Sequence, residues 1–339
     1  MIIEMQKGAE ENAIKGVVER VKEQGFDVQL NKGQEKVVIA VLGSNTGSID
    51  TQIFEVLPGV EKVFRIMNPF KLASRDFKSE NTVVKIGDVE FGGNKVVVMA
   101  GPCSVESEEQ ILACARLVQK LGGKILRGGA FKPRTSPFAF QGLKENGLKL
   151  LAKARKETGL LIITEVVAPE DLDLTAEYAD ILQIGTRNMQ NYRLLETAGR
   201  SGRPIVLKRG FASTLEEWLM AADYLLANDN YHQVILCERG IRTFGNSTRF
   251  TLDVGAIPVV KRFSHLPVII DPSHAAGYWG YVPSLAKAAI GAGADGLLIE
   301  IHPDPKKAIS DGAQSLTFSD FSRLMEELKG IAAAIGRGI

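Results

Sequence analysis

The rhythm of apolar and polar positions changes partway along the chain. In the opening segment Met1–Met5 alternates as a strand, and Glu10–Gln24 carries Ile14, Val17, Val18 and Val21 at helical spacing before Gly25 ends it. Two strands are predicted at Phe26–Leu30 and Lys36–Val41, joined by the turn residues Asn31-Lys32-Gly33. Ser48–Leu57 fits a second short helix and Val60–Met67 a fourth strand. The order β-α-β-β-α-β predicts a small ferredoxin-like α+β module. Asn68–Asn81 is polar and reads as a linker, and Thr82–Asp88 with Val89–Gly93 alternates as a short hairpin.

From Lys95 onward, alternation gives way to eight continuous apolar runs separated by helical stretches. The runs are Val96–Ala100, Lys124–Leu126, Leu160–Thr164, Ile181–Gly185, Pro204–Leu207, Gln233–Cys237, Pro267–Ile270 and Gly296–Ile299. A continuous apolar run is a strand covered on both faces, and strand–helix alternation makes a parallel sheet. Eight such units predict an α/β fold, a (β/α)8 TIM barrel. A doubly wound open sheet is the rival, but no G-x-G-x-x-G follows the first run. The expected organisation is a ferredoxin-like module over 1–75, a linker and hairpin over 76–94, and a barrel over 95–339.

Composition narrows the classes. The 339 residues accommodate one barrel of roughly 250 residues and a small module. No apolar run approaches the roughly 18 residues of a membrane span, and the N-terminus turns charged too early for a secretory signal. Three cysteines make no disulfide framework, and the expected setting is the reducing cytoplasm. The net charge of +1 offers no general field for nucleic acid, so any strong positive patch must be local.

Barrel enzymes place their chemistry just beyond the C-terminal ends of the strands. There the chain carries Cys103 after the first run. Arg127, Gly128-Gly129 and Lys132-Pro133-Arg134-Thr135 follow the second, Glu165 the third, Arg187 the fourth and Lys208-Arg209 the fifth. The last three runs lead into Glu238-Arg239, Asp271 with His274, and Glu300 with His302. Any one charged residue could simply mark where a strand meets solvent. Seven cations at one barrel face (Arg127, Lys132, Arg134, Arg187, Lys208, Arg209 and Arg239) in a nearly neutral chain instead predict a polyanionic small ligand. Gly128 and Gly129 would let backbone approach a phosphate. Cys103, His274, Glu300 and the later Asp311 offer sulfur, nitrogen and oxygen ligands from neighbouring strand ends. That mixture suits one divalent Zn, Fe, Mn or Co ion. Cys114 and Cys237 read as small buried hydrophobes. His232 and His265 receive no role, and His302 reads as structural or as support for the metal set.

Seven segments together resemble the 3-deoxy-D-arabino-heptulosonate 7-phosphate (DAHP) synthases, in their shorter microbial branch with an N-terminal regulatory module. They are GPCSVES at 101–107, LRGGAFKPRTSPFAFQG at 126–142, QIGTRNMQN at 183–191, LKRG at 207–210, CERGIRTF at 237–244, DPSHAAG at 271–277 and EIHPDP at 300–305. The resemblance implies a transferase that condenses phosphoenolpyruvate with erythrose 4-phosphate in the shikimate pathway. It implies metal ligation by Cys103, His274, Glu300 and Asp311, and catalytic roles for Lys132, Cys103 and His274. Phosphoenolpyruvate contacts would fall on Arg127, Lys132, Glu165 (through water), Arg187, Lys208 and Arg239. Erythrose 4-phosphate contacts would fall on Lys132, Pro133, Arg134 and Thr135. It further implies a homo-oligomer, a tetramer, inhibited by tyrosine or phenylalanine. The sibling 3-deoxy-D-manno-octulosonate 8-phosphate synthases typically carry Lys-Ala-Asn-Arg at Lys132-Pro133-Arg134 and usually lack the module. Many relatives carry an Arg pair where this chain has Tyr278-Trp279, and Arg209 is outside the usual substrate set. Two other readings stay open: a Schiff-base aldolase using Lys208, and an amino-acid sensor whose barrel is only a scaffold.

Overall fold

The computed structural model describes residues 1–33, 36–43, 46, 49–64, 69–134, 136–228 and 233–339. They form two compact units, Met1–Asn81 with Phe263–His265, and Thr82–Arg262 with Leu266–Ile339.

The first unit holds β1 (Ile2–Met5), α1 (Glu11–Glu23), β2 (Asp27–Lys32), β3 (Val37–Leu42), α2 (Gln52–Glu55) and β4 (Val60–Phe64). The strands make one antiparallel sheet in the order β2-β3-β1-β4, the ferredoxin-like arrangement. Ile14, Val17 and Val21 fall on one stripe of α1 and pack with Ile3, Met5, Ile39, Val41 and Phe54. Two expectations change. The second helix shrinks to one turn ahead of Pro58-Gly59, with Ser48 outside the described residues, as are residues 65–67 of the expected fourth strand. The segment after Asn68 is no solvated linker, because Phe70, Leu72, Ala73 and Phe77 are buried. Arg75 ties the segment together by donating to the Ser79 carbonyl and to Asn81 Oδ1, both at 2.6 Å.

The second unit opens with a hairpin, β5 (Val84–Ile86) and β6 (Val89–Phe91). The barrel strands then follow as β7 (Val97–Gly101), β8 (Ile125–Arg127), β9 (Leu161–Val166), β10 (Ile181–Ile184), β11 (Ile205–Lys208), β12 (Val234–Glu238), β13 (Val268–Ile270) and β14 (Gly296–Glu300). They close in chain order, β14 pairing in parallel with β7 from Gly296↔Val97 to Glu300↔Gly101. The hairpin does more than its alternation predicts. Val84, Ile86, Val89 and Phe91 pack with Val97, Ile125, Ile181 and Ile269, near the strand starts, and so seal the barrel floor. Helices α3 (Glu108–Lys120), α4 (Leu215–Leu226) and α5 (Phe318–Ala334) each start on a hydroxyl cap, Ser107, Thr214 and Thr317. At Thr214 the cap is reciprocal, with Glu217 accepting from the Thr214 backbone. A plugged floor and a packed interior leave the C-terminal strand ends as the open face.

Candidate active site

Four potential ligands converge at this face. The sulfur of Cys103, a ring nitrogen of His274 and carboxylate oxygens of Glu300 and Asp311 all lie within 4.8 Å of one another. Their orientation is fixed from behind. Asp271 is buried, and its carboxyl is held well below the usual range; burial opposes this, but His274 and Lys208 outweigh it. Its Oδ2 accepts from His274 Nδ1 at 2.6 Å and from Lys208 Nζ, while Oδ1 accepts from the His274 backbone at 2.9 Å. An acceptor-only carboxylate puts the proton on Nδ1, which leaves Nε2, 3.5 Å from Glu300 Oε1, as the free donor of a lone pair. Burial also lowers the pKa of His274, keeping the ring neutral. Glu300 accepts from Arg127 Nη1 at 3.0 Å and from Gln314 Nε2 at 2.7 Å. Asp311 takes a left-handed backbone, φ +52°, and its Oδ2 accepts from Cys103 Sγ at 3.1 Å. Burial, then the Glu300 charge, pushes the Cys103 thiol up to about 12. A soft sulfur, an imidazole lone pair and two carboxylates this close together fit a divalent cation of the borderline class.

Beside this corner lies a cleft of about 450 Å³. Arg127, Lys132, Pro133, Arg134, Glu165, Arg187, Lys208 and Arg239 line it with His274 and Asp311, so the fold brings together most of the residues expected from the sequence. Lys132 Nζ donates to the Cys103 carbonyl at 3.1 Å and to its sulfur at 3.0 Å. Burial alone would lower the Lys132 pKa, but Cys103, Glu165 and Glu300 more than offset it, and the ammonium is retained. Arg134 reaches Ser310 Oγ at 3.0 Å, and Ser310 Oγ lies 3.2 Å from Cys103 Sγ, linking a cleft cation to the ligand set. Glu165 Oε2 accepts from Gln183 Nε2 at 3.3 Å. Any side chain at Gly185 would collide with this carboxylate, so glycine there makes room for it.

Two expectations are corrected, and the remaining described cysteines and histidines take the places expected of them. Arg209 does not line the cleft; it is buried and donates to Glu238 Oε2 at 3.2 Å, Asp253 Oδ2 at 2.9 Å and the Ser213 carbonyl. Gly128 and Gly129 face protein rather than an open phosphate seat. A Cβ on Gly128 would meet Leu151 and Val105, and one on Gly129 the Cys103 carbonyl. His302 Nδ1 accepts from the Asp304 backbone and its Nε2 lies 3.3 Å from Glu106, a packing role. Cys114 and Cys237 are buried with thiol pKa values pushed up by burial, as small core residues. His265 is buried beside the Leu72 carbonyl at 2.7 Å. Thr135 and His232 lie outside the described residues.

The structure also adds residues that strand-end reading misses. Arg242, Arg249, Phe211 and Phe250 line the cleft. They come from the loops after β11 and β12, several residues past the strand ends. The signals for the arginines were their density in the stretch RGIRTFGNSTRF at 239–250 and, for Arg242, its place in the CERGIRTF segment. Arg249 donates to Asp311 Oδ1 at 3.1 Å and Gln314 Oε1 at 2.9 Å. Arg239 is buried over the Phe250 ring, 3.9 Å from its centroid, and burial is the main reason its pKa falls to about 10.

A closed parallel barrel with four potential metal ligands at one corner of a cation-lined cleft defines the class of a barrel enzyme acting on small, multiply charged anions. The chain belongs to the DAHP synthetase I family, whose pattern matches residues 20–335. It is 47% identical over 336 residues to the phospho-2-dehydro-3-deoxyheptonate aldolase of Thermotoga maritima, covering 99% of both chains. The crystal structure of the Thermotoga maritima DAHP synthase superposes with a TM-score of 0.79 at 45% identity, covering 99% of this chain and 98% of that one. A truncated form of the Thermotoga maritima enzyme matches 79% of this chain and 98% of its own length, at 47% identity and a TM-score of 0.74. The 2-dehydro-3-deoxyphosphooctonate aldolase of Syntrophotalea carbinolica is 35% identical over 272 residues, 74% of this chain and 96% of its own.

Proposed function

We propose that this chain is a DAHP synthase, condensing phosphoenolpyruvate with erythrose 4-phosphate and water to give DAHP and phosphate. The observation that carries this is the juxtaposition of the Cys103/His274/Glu300/Asp311 set with the cation-lined cleft. Full-length similarity to a relative of that name supports it.

Within this reading Arg127, Lys132, Lys208, Arg187 and Arg239 hold the carboxylate and phosphate of phosphoenolpyruvate. Lys132, Pro133, Arg134 and Thr135 receive the aldose phosphate. Confining both anions aligns C3 of phosphoenolpyruvate with the aldehyde carbon, and much of the acceleration comes from that positioning. Cys103, His274, Glu300 and Asp311 would hold a divalent ion (Mn, Fe, Zn or Co), which would supply Lewis acidity toward the aldehyde oxygen. Attack forms the new C–C bond, and the Lys132 ammonium donates a proton to the oxygen that becomes a hydroxyl. Water, oriented by Glu165, adds at C2, and the C2–O bond then breaks to release phosphate. Lys208 is committed to Asp271 in a buried pair, which disfavours a Schiff-base role.

Phosphate release from the two substrates, with and without EDTA, tests the proposal. It is expected only with both substrates and a divalent ion present, and EDTA-resistant release would sink the metal role. Arabinose 5-phosphate is expected to be a much poorer acceptor, and a higher kcat/KM for it would favour the sibling activity.

No helix among the described residues is long and apolar enough to cross a membrane, and we place the enzyme in the cytoplasm. We further propose a homotetramer whose N-terminal units bind tyrosine or phenylalanine as feedback inhibitor. Allostery of this kind requires the effector to bind two states unequally. A variant beginning at Thr82 should keep activity and lose inhibition. Unchanged inhibition would move the effector site to the barrel.

A further inference from the structure

Phe211 is ringed by three guanidinium groups. The central carbons of Arg242, Arg239 and Arg187 lie 4.9, 5.3 and 5.4 Å from its ring centroid. Among the described residues none of the three pairs with a carboxylate, whereas Arg127, Lys208 and Arg249, which line the same cleft, all do. Arg239 Nη1 and Nη2 donate to the Gly240 and His274 carbonyls at 3.1 and 3.5 Å, and its Nε is buried without a hydrogen-bond partner. Aromatic faces attract cations, but they do not cancel the mutual repulsion of three positive charges or satisfy their N–H groups.

Arg242 is held there by backbone as well as by its side chain. Its N–H donates to the Phe211 carbonyl at 2.7 Å, and Ile241 and Thr251 exchange hydrogen bonds at 2.9 and 3.0 Å. The base of the 241–251 excursion is therefore zipped shut, and Arg242 sits on that base, short of the exposed Phe244. Phe250 stacks on Phe211 at 5.3 Å and 19°, bracing the ring from the same excursion.

We propose that Arg242 is a third arginine of the seat for the phosphate of phosphoenolpyruvate, and that Phe211 is a positioning residue that spaces the three guanidinium groups. This rests on reading the cleft as a phosphoenolpyruvate site. A tetrahedral dianion offers three peripheral oxygens, each able to accept from a guanidinium fork. The same seat would hold inorganic phosphate after C–O cleavage, making it a competitive inhibitor toward phosphoenolpyruvate.

The test uses the full chain loaded with Mn2+. Direct titration with phosphoenolpyruvate alone, and with inorganic phosphate alone, is compared for the wild type, Arg242→Gln, Arg242→Lys and Phe211→Leu. Loss of one charge-assisted contact weakens binding by about 10- to 100-fold. Arg242→Gln should weaken both ligands in parallel by that factor and leave KM for erythrose 4-phosphate within about twofold. Arg242→Lys should recover part of the affinity, and Phe211→Leu should weaken both ligands while Arg242 remains. A raised KM for erythrose 4-phosphate with unchanged phosphoenolpyruvate binding would assign Arg242 to the aldose and overturn the proposal. Equal losses for both substrates that vanish at high salt would reduce Arg242 to a steering charge and overturn it as well. If the wild type binds both ligands tightly but never turns over, the synthase reading fails and the phosphate seat stands.

Discussion

Two groups of cations share the mouth of the barrel and differ in what balances them. Around the metal-ligand corner three carry a built-in anion, Arg127 with Glu300, Lys208 with Asp271 and Arg249 with Asp311, while Lys132 and Arg134 lean on Cys103 and Ser310. Around Phe211 none carries one among the described residues. The buried pairs Arg127–Glu300 and Lys208–Asp271 keep their geometry whether or not a ligand is bound, because removing either partner strands a buried charge, whereas Arg249–Asp311 is part-exposed. The ring around Phe211 leaves its charge for the ligand to neutralise, so the same residues that are costly to gather become sources of affinity. A difference of this kind should appear as two separable phenotypes. Lesions in the ligand set and in the Asp271 behind it should change metal retention and stability, and lesions in the ring should change anion binding without either.

The most severe break is Cys103→Ser. It removes the soft ligand, and activity should fall by more than about a hundredfold, the upper range for losing only a supporting partner of a ligand. Metal content after dialysis should fall with it, while Cys114→Ser, in a helix core, leaves both unchanged. Undiminished metal in dialysed Cys103→Ser protein would remove the cysteine from the ligand set.

Next comes Asp271→Asn, which touches no ligand directly other than through the His274 ring. The amide still fits, but it no longer fixes the Nδ1 proton or neutralises Lys208. Metal affinity should drop about 10- to 100-fold. Breaking the buried pair should lower stability by about 3–5 kcal/mol, read as a lower Tm. Wild-type metal affinity in this variant would refute the orienting role.

Arg209 separates pairing from location. It is as buried as Arg239 yet paired with Glu238 and Asp253, and Glu238 has its pKa raised by burial despite Arg209. Arg209→Gln should therefore cost about 3–5 kcal/mol of stability. Arg187→Gln, at an unpaired position, should leave the ligand-free Tm nearly unchanged, within about 0.5 kcal/mol, and weaken phosphoenolpyruvate binding. The comparison would collapse if thermal unfolding gave the two variants equal losses.

Much of this architecture was legible because it rests on local signals. Strands buried on both faces write themselves as unbroken apolar runs, so β7 to β14 and the residues at their ends, from Arg127 to Glu300, followed directly. What escaped depends on contacts between distant segments. Nothing near Arg209 shows that Glu238 and Asp253 will claim it, and nothing in the hairpin alternation shows that Val84 and Phe91 face the barrel floor. The supposed linker was misjudged because Phe70, Leu72 and Phe77 are spaced among polar residues, with neither period to reveal a buried face. Arg242 was overlooked because it lies in a loop beyond the strand end, where only its bond to the Phe211 carbonyl gives it a fixed place.

The smallest expected effect probes how exposed each group is to salt. Arg187 and Arg242 face solvent at the cleft edge, whereas Arg127, Glu300, Lys208 and Asp271 are buried. Ions at 0.15 M screen exposed charges beyond about 8 Å and penetrate buried pairs poorly. Raising KCl from about 0.05 to 0.5 M shortens that length roughly threefold, so KM for phosphoenolpyruvate should rise a few-fold. The Tm contribution of the buried pairs, measured as the difference between wild type and Asp271→Asn, should hardly move over the same range. Chloride also competes for guanidinium groups directly, which acts in the same direction on the exposed arginines of the ring. Substituting Arg242 should flatten the salt dependence of phosphoenolpyruvate binding, because one of the screened charges is gone. If salt shifts the Asp271→Asn stability difference as strongly as it shifts KM, both groups share one solvated field, and the division between paired corner and unpaired ring does not hold.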